Sequence, residues 1–319
     1  MTSPAGAADA ADAAWSLDDV PDQSGRRVVV TGVSVGGLGH HTALELARRG
    51  ATVVLAGRTP AKLAEARAAI RAEVPAADLE QVVVDLADLT SVRSAAAEVP
   101  RLGALDLLVH NAGVMAPPHR RTADGLELQL ATNHLGPFLL TGLLLPHLVA
   151  GTGARVVTVS SLMHRLARRA PLDEPRAARA RYQRWPVYAR TKLANLLFTA
   201  ELERRARAAG LPLTATAAHP GIAATHLAAN GRYGTTHGVR ASVLHAAVGA
   251  VSQSPAAGAL PTLMAATADL PGDSFCGPSG PRELAGPPRL VGRSALAQDA
   301  EAARALWELS ERTVGLTWP

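Results

Sequence analysis

Six short apolar runs recur along this chain, most of them rich in β-branched residues: RRVVVTG from Arg26, TVVLAG from Thr52, QVVVDL from Gln81, LDLLVHNAG from Leu105, ARVVTVSS from Ala154 and LTATAAHPG from Leu213. Runs this continuously apolar are strands that must be covered on both faces. The segments between them carry apolar residues at three- and four-residue steps: HHTALELARRG, PAKLAEARAAIRAE, LTSVRSAAAEV, a long piece from about 123 to 150, and VYARTKLANLLFTAELERRARAAG. Strand and helix in alternation require right-handed crossovers between parallel strands. Further helices are expected near 256–268 and 298–314, with a short strand at 273–276 between them. The expected architecture is α/β, a single doubly wound Rossmann-type domain with a seven-stranded, mostly parallel sheet. Ligands in such a sheet bind beyond the carboxyl ends of the strands.

The expected organisation is an N-terminal tail at 1–25, rich in Ala and Asp, followed by one domain at 26–319 in which 226–255 forms a substrate lid. One cysteine, Cys276, rules out an intrachain disulfide, and no Cys/His spacing resembles a metal site. The adjacent His40 and His41 point apart on a helix, and His219, His226, His237 and His245 lack accompanying carboxylates, so no metal is expected. His164 is read as a solvated loop residue, with a place in the pocket lining as the alternative. The formal charge is +5, but the 32 basic residues are scattered and without interleaved aromatics, which argues against nucleic acid as a partner. The longest apolar stretch, Leu135 to Ala150, is interrupted by Gly136, Pro137, Pro146 and His147 and is shorter than the roughly 20 residues of a membrane span. The N-terminal residues lack a basic region and an apolar core, so a cytoplasmic location is expected.

The first strand runs into Thr31-Gly32-Val33-Ser34-Val35-Gly36-Gly37-Leu38-Gly39 and then a helix. That arrangement brings glycine backbone close to a pyrophosphate at a positive helix N-terminus, and a tight turn without ligand is the plainer reading. The second strand ends at Arg58, where an acid would hold the ribose 2′-hydroxyl of NAD. A guanidinium there suits a 2′-phosphate, so NADP (as NADPH) is favoured over NAD; a solvated surface arginine is the alternative.

These pieces, together with Asp85-Leu86 after the third strand, His110-Asn111-Ala112-Gly113, Asn133-His134-Leu135-Gly136, Ser160-Ser161, Tyr188-Ala189-Arg190-Thr191-Lys192 and His219-Pro220-Gly221 with Thr225, resemble the short-chain dehydrogenase/reductase family, nearest its retinol-dehydrogenase-like branch. The resemblance covers nearly everything from Arg26 onward and rests on the order and spacing of the motifs. It implies a catalytic set of Asn133, Ser161, Tyr188 and Lys192. Tyr188 would be the acid/base, Lys192 would bind the nicotinamide ribose, Ser161 would orient the carbonyl, and Asn133 would hold a water linking the lysine to solvent. A buried, satisfied Asn at a helix kink is the alternative for Asn133. The resemblance also implies cofactor contacts from Gly32, Ser34, Gly37, Leu38, Gly39, Arg58, Asp85, Leu86, Asn111, Ala112, Gly113, Tyr188, Lys192, Pro220, Gly221 and Thr225. Tyr188 and Lys192 lie four residues apart on one helix face, and the chain contains only one other lysine, Lys62. A neighbouring ammonium together with the positive nicotinamide ring is expected to stabilise the phenolate and pull its pKa toward the working range.

Two departures matter. Gly32 and Gly37 are separated by four residues where the family has three, and 27 positions separate Ser161 from Tyr188, with an Arg-rich insertion at 165–184. The resulting reading is an NADP(H)-dependent oxidoreductase acting on an apolar ketone, aldehyde or secondary alcohol, as monomer or homodimer. A dinucleotide-binding sensor without turnover, or a non-redox proton-transfer enzyme on the same fold, remains the alternative.

Overall fold

The computed structural model describes residues 14–151, 153–177, 182–222 and 253–318. Strands β1 (Arg27–Thr31), β2 (Thr52–Gly57), β3 (Leu79–Val83), β4 (Leu107–His110), β5 (Ala154–Val159), β6 (Leu213–Ala218), β7 (Phe275–Pro278) and β8 (Pro288–Leu290) form one sheet in the order β3-β2-β1-β4-β5-β6-β7-β8. All neighbours pair in parallel except β7 and β8. The sheet therefore has eight strands where seven were expected. The extra edge strand spans three residues, begins with a proline and exposes Arg289 and Leu290, so it carries no alternating or apolar signature.

The helices are α1 (Leu38–Arg48), α2 (Pro60–Glu73), α3 (Leu89–Glu98), the single turn α4 (Leu128–Leu130), α5 (Gly136–Leu148), α6 (Arg184–Ala208), α7 (Pro255–Thr267) and α8 (Ala300–Val314). Strand residues alternate between two cores, as a period of two demands. Val29, Val54, Leu108 and Val156 join one core with residues of α3, α5 and α6, while Val28, Val30, Val53, Leu107 and Val157 join another with residues of α1, α2 and α7. The helix expected at 123–150 is not continuous. Between α4 and α5 the chain makes one π-helical turn over Ala131–Leu135, a local widening that leaves a carbonyl free of its usual partner and recurs at functional sites. Gly136 just beyond it is tightly packed, since a Cβ there would lie 2.2 Å from the Leu86 carbonyl oxygen.

Helix α8 packs on the outer side of α6. Its Trp307 stacks on Phe198 of α6 at 5.9 Å and meets Phe138 of α5 edge-on at 4.9 Å, with Trp318 4.4 Å from Trp307 and the Arg205 guanidinium 4.6 Å over the Trp307 ring. Half of the chain's few Trp residues are thus spent on sealing α5 and α6 from within. At the other end of the chain, Ser16 caps a short turn, Val20 and Gln23 are buried, and Trp15 and Leu17 pack on the core, so this part of the expected tail lies against the domain. Among the described residues no helix is long and apolar enough to cross a membrane.

Two histidines sit within the core. His110 Nε2 meets Thr141 Oγ1 at 2.6 Å and His134 Nε2 meets Ser310 Oγ at 2.8 Å, and burial pushes both imidazoles down to about 3. Each is neutral when folded and takes up a proton near pH 6.5 when unfolded, so stability is lost as pH falls below 6.5 toward 3. His134→Gln keeps a partner for Ser310 and removes one such proton. The expected outcome is a shallower fall of unfolding free energy between pH 6.5 and 5, by at most about 1.4 kcal/mol per pH unit, measured by urea titration.

Candidate active site

The strand order reverses between β1 and β4, and the chain is tied there by polar groups. Thr31 Oγ1 donates to the Val109 carbonyl (3.2 Å) and accepts from the backbone N–H of Asn111 and Ala112 (3.1 Å each). Asn111 Nδ2 donates to the Thr31 and Gly32 carbonyls at 2.9 and 3.0 Å. These bonds hold open the crevice at the carboxyl ends of β1 and β4, the location expected for a nucleotide.

The enlarged glycine loop closes because two glycines take left-handed backbone, Gly32 at φ 78° and Gly36 at φ 73°. Gly37 is the N-cap of α1, with its N–H on the Ser34 carbonyl at 2.9 Å and no side chain capping the helix. The first N–H groups of α1, including those of Leu38 and Gly39, precede the intrahelical bonding and are suited to an anion. A Cβ on Gly32 would lie 2.8 Å from Ala112 Cα, and one on Gly39 would lie 2.4 Å from Asn111 Nδ2 and 2.6 Å from the Gly32 carbonyl. Glycine is required at these positions for close packing, and the uncapped helix end fits a dinucleotide pyrophosphate. Ser34 is exposed at the loop tip.

Arg58 at the end of β2 is mostly exposed and lies 3.9 Å from Asp85 Oδ2, so these two expected cofactor contacts adjoin one another. Asp85 Oδ1 also accepts from the Ala87 N–H. Leu86 is placed differently from expectation. Its side chain is buried in the core with Leu135 and Phe138, so only its backbone is free to edge a nucleotide.

Asn133, Ser161, Tyr188 and Lys192 come together at the ends of β4 and β5. Tyr188 and Lys192 are buried on α6, with Nζ 5.9 Å from the centre of the phenol ring. The neighbouring Ser161 side chain favours the ionised phenol, yet burial outweighs it and pushes Tyr188 up to about 12. The Lys192 ammonium alone does not offset that burial. Its Nζ donates to the Val159 carbonyl at 2.8 Å, and burial lowers the ammonium to about 8. Desolvation penalises the charged form of both groups. Ser160 is spent on structure, its hydroxyl donating to the Lys192 carbonyl at 2.7 Å.

Asn133 occupies the π turn and is a satisfied kink residue. Its Nδ2 donates to the Val114 carbonyl (2.9 Å) and Thr191 Oγ1 (3.0 Å), and its Oδ1 accepts from the Val114 N–H (2.8 Å). Its freed main-chain carbonyl takes a bond from Asn195 Nδ2 at 2.8 Å, a residue that sequence reasoning passed over. The side chain therefore has no idle donor for a water, although its Oδ1 and Lys192 Nζ flank the same spot over Gly113, 3.1 and 3.8 Å from where a Cβ would be.

Pro220 and Gly221 follow β6 beyond His219, and Gly221 has φ 62° with the Leu284 carbonyl 2.3 Å from where its Cβ would be. Thr225 and most of the expected lid lie outside the described residues. The insertion is anchored by Arg190, within the Tyr188–Lys192 motif, which pairs with Asp173 at 2.8 Å and donates to the Ala170 carbonyl. Arg190 could have been suspected from its place between Tyr188 and Lys192, but its partner is set by the path of the insertion. His164 is not solvated: it is fully buried, with Nδ1 2.8 Å from the Ser161 carbonyl. Among the described residues no group of three or more His, Cys, Asp or Glu could hold a metal ion.

A profile of the short chain dehydrogenase family matches residues 26–234. The chain belongs to that family. Within it the chain falls in the retinol-dehydrogenase-like branch. It is 39% identical over 302 residues to human retinol dehydrogenase 13, covering 92% of this chain and 86% of that protein. It is 43% identical over 213 residues to mouse polyprenol dehydrogenase, 65% of this chain and 63% of that one. A crystal structure of an uncharacterised protein from Mycobacterium paratuberculosis superposes with a TM-score of 0.78 at 44% identity, covering 96% of this chain and all of that one. This short-chain dehydrogenase is thus an oxidoreductase whose family uses a nicotinamide dinucleotide, and the uncapped glycine loop is built to fit one.

Gly39→Ala in this dehydrogenase should force Asn111 away from the β1 end. We expect a loss of about 1–3 kcal/mol in stability together with weakened dinucleotide binding, read by thermal unfolding and by quenching of protein fluorescence on titration with NADPH.

Proposed function

We propose that the protein is an NADPH-dependent reductase of apolar ketones and aldehydes, able to run in reverse on secondary or primary alcohols. The observation that carries this reading is the buried Tyr188 phenol placed beside the Ser161 side chain, with the Lys192 ammonium on the same helix face at the carboxyl edge of the sheet.

A bound nicotinamide dinucleotide supplies the hydride to the carbonyl carbon. Tyr188, held protonated by burial with its pKa near 12, is the proton donor to the carbonyl oxygen at neutral pH. The Ser161 hydroxyl then donates to that same oxygen and steadies the charge developing on it. The Lys192 ammonium compensates the phenolate left behind. Asn133 and Thr191 hold α6 in register with the β4 loop, since Thr191 Oγ1 accepts from Asn133 and donates to the Tyr188 carbonyl at 2.8 Å. Trp185, edge-on to Tyr188 at 6.2 Å, provides an apolar wall, which agrees with the long apolar alcohols in the names of the retinol and polyprenol dehydrogenases.

The preference for NADPH rests on Arg58. It stands at the end of β2 with much of its guanidinium exposed, and its weak pairing with Asp85 leaves donors free for a 2′-phosphate. A carboxylate in its place would instead favour the free ribose hydroxyl of NADH.

The test is turnover with NADPH and NADH side by side against a panel of apolar aldehydes and ketones, followed by nicotinamide absorbance. We expect NADPH to be preferred and Tyr188→Phe to lower kcat at least about 100-fold while NADPH affinity stays within about twofold. Full activity in Tyr188→Phe would dismiss the phenol as proton donor, and an inert parent protein that still binds NADPH would favour a binding role. Arg58→Asp should weaken NADPH binding by about ten- to a hundredfold and spare NADH, as loss of a charged hydrogen bond requires.

A further inference from the structure

The loop between β7 and β8 contains two consecutive non-glycine residues in the left-handed region, Arg282 at φ 56° and Glu283 at φ 60°. L side chains rarely adopt that backbone, and where they do the surrounding contacts hold them there. The contacts of Glu283 reach both sides of the candidate site.

Glu283 Oε2 lies 3.1 Å from Nε2 of the fully buried His219, which immediately precedes Pro220-Gly221. His219 Nδ1 accepts from the Gly221 N–H at 3.2 Å, so the ring proton resides on Nε2 and is donated to the carboxylate. The same carboxylate accepts from Arg165 Nη2 at 2.8 Å and 3.0 Å. Arg165 belongs to the turn after β5, Leu162–Leu166, that Ser161 caps. In that turn His164 Nδ1 donates to the Ser161 carbonyl at 2.8 Å, and Nε2 accepts from the Ser294 N–H at 3.3 Å. The Phe275 ring lies 5.6 Å from His164 and 5.1 Å from His219. Space for the His219 ring exists only because residue 277 is glycine, whose Cβ would stand 2.1 Å from Nε2.

We propose that Glu283 is a positioning residue that couples the Ser161 turn to the Pro220–Gly221 loop and so sets the carbonyl-orienting hydroxyl against the face of the nicotinamide. The proposal rests on the redox reading above for its catalytic consequence, but the mechanical coupling stands apart from it. Arg165 and His219 make no bond to each other in this network; each donates to the one carboxylate between them. The strained backbone is what carries that carboxylate to a point where both donors reach it.

The test compares Glu283→Gly, Glu283→Gln and Arg165→Ala with the parent protein. Glycine suits the positive φ and removes the clamp, whereas glutamine keeps an acceptor for His219. We measure kcat and KM for NADPH and the carbonyl, melting temperature, and amide hydrogen exchange in peptides spanning 159–166 and 217–222. Glu283→Gly should melt no lower than the parent, exchange faster in both peptides, and lose roughly tenfold in kcat with a smaller change in KM, as expected for misplacement of a reacting group. Glu283→Gln should recover most of that loss. Arg165→Ala should speed exchange in 217–222, a segment its side chain does not touch. Unchanged exchange in 217–222 for Arg165→Ala, or faster exchange throughout the molecule with a lower melting temperature for Glu283→Gly, overturns the coupling. A parent protein without turnover would defeat the redox reading alone, because the exchange measurements still decide the coupling.

Discussion

Lys192 holds its ammonium group out of water against the Val159 carbonyl, and desolvation of that charge is the constraint around which the site is arranged. A buried cation is tolerated when polar atoms replace its hydration and the surrounding chain cannot relax away. Here the replacement is the last carbonyl of β5. The Ser160 hydroxyl fastens the backbone of Lys192 to the same strand end. The phenol of Tyr188 sits one helical turn away under the same desolvation, which keeps it protonated. Burial thus gives the pair opposite adjustments: the acid becomes weaker, and the cation gives up its proton more readily.

The other half of the site follows from the crossing point of the sheet. The enlarged glycine loop turns through positive φ at Gly32 and Gly36, and Gly37 stands as the N-cap of α1, which begins at Leu38. Asn111 then packs its amide under Gly39 and bonds both Thr31 and Gly32, so the loop, β1 and β4 move as one piece. The π turn at Asn133 performs a similar service on the far side of β4. It frees a main-chain carbonyl that Asn195 of α6 takes up, and thereby links the helix carrying Tyr188 to the loop carrying Gly113.

Much of this was legible along the chain. The six apolar runs have the period and length of buried strands, and the motifs at their carboxyl ends locate the site without any knowledge of packing. What escaped was local or depended on distant partners. β8 is too short and too exposed to leave a pattern, and the π turn differs from an α turn by one unmarked residue. Leu86 was expected as a cofactor contact from its place after β3, but its side chain packs into the core with Leu135 and Phe138. His164 looked solvated because nothing near it in sequence reveals the N–H of Ser294, 130 residues away, that donates to its ring in the interior.

The order of residues alone determined the parallel sheet, the glycine loop and the identities of Asn133, Ser161, Tyr188 and Lys192, because hydrophobic period and motif spacing are properties of nearby positions. Only the folded chain decided the protonation of the phenol, the saturation of the Asn133 amide, the ion pair that anchors the insertion to Arg190, and the carboxylate of Glu283 between two loops. Those outcomes depend on how much water is excluded and on which groups meet across the sheet, and both are set by packing between segments far apart in sequence.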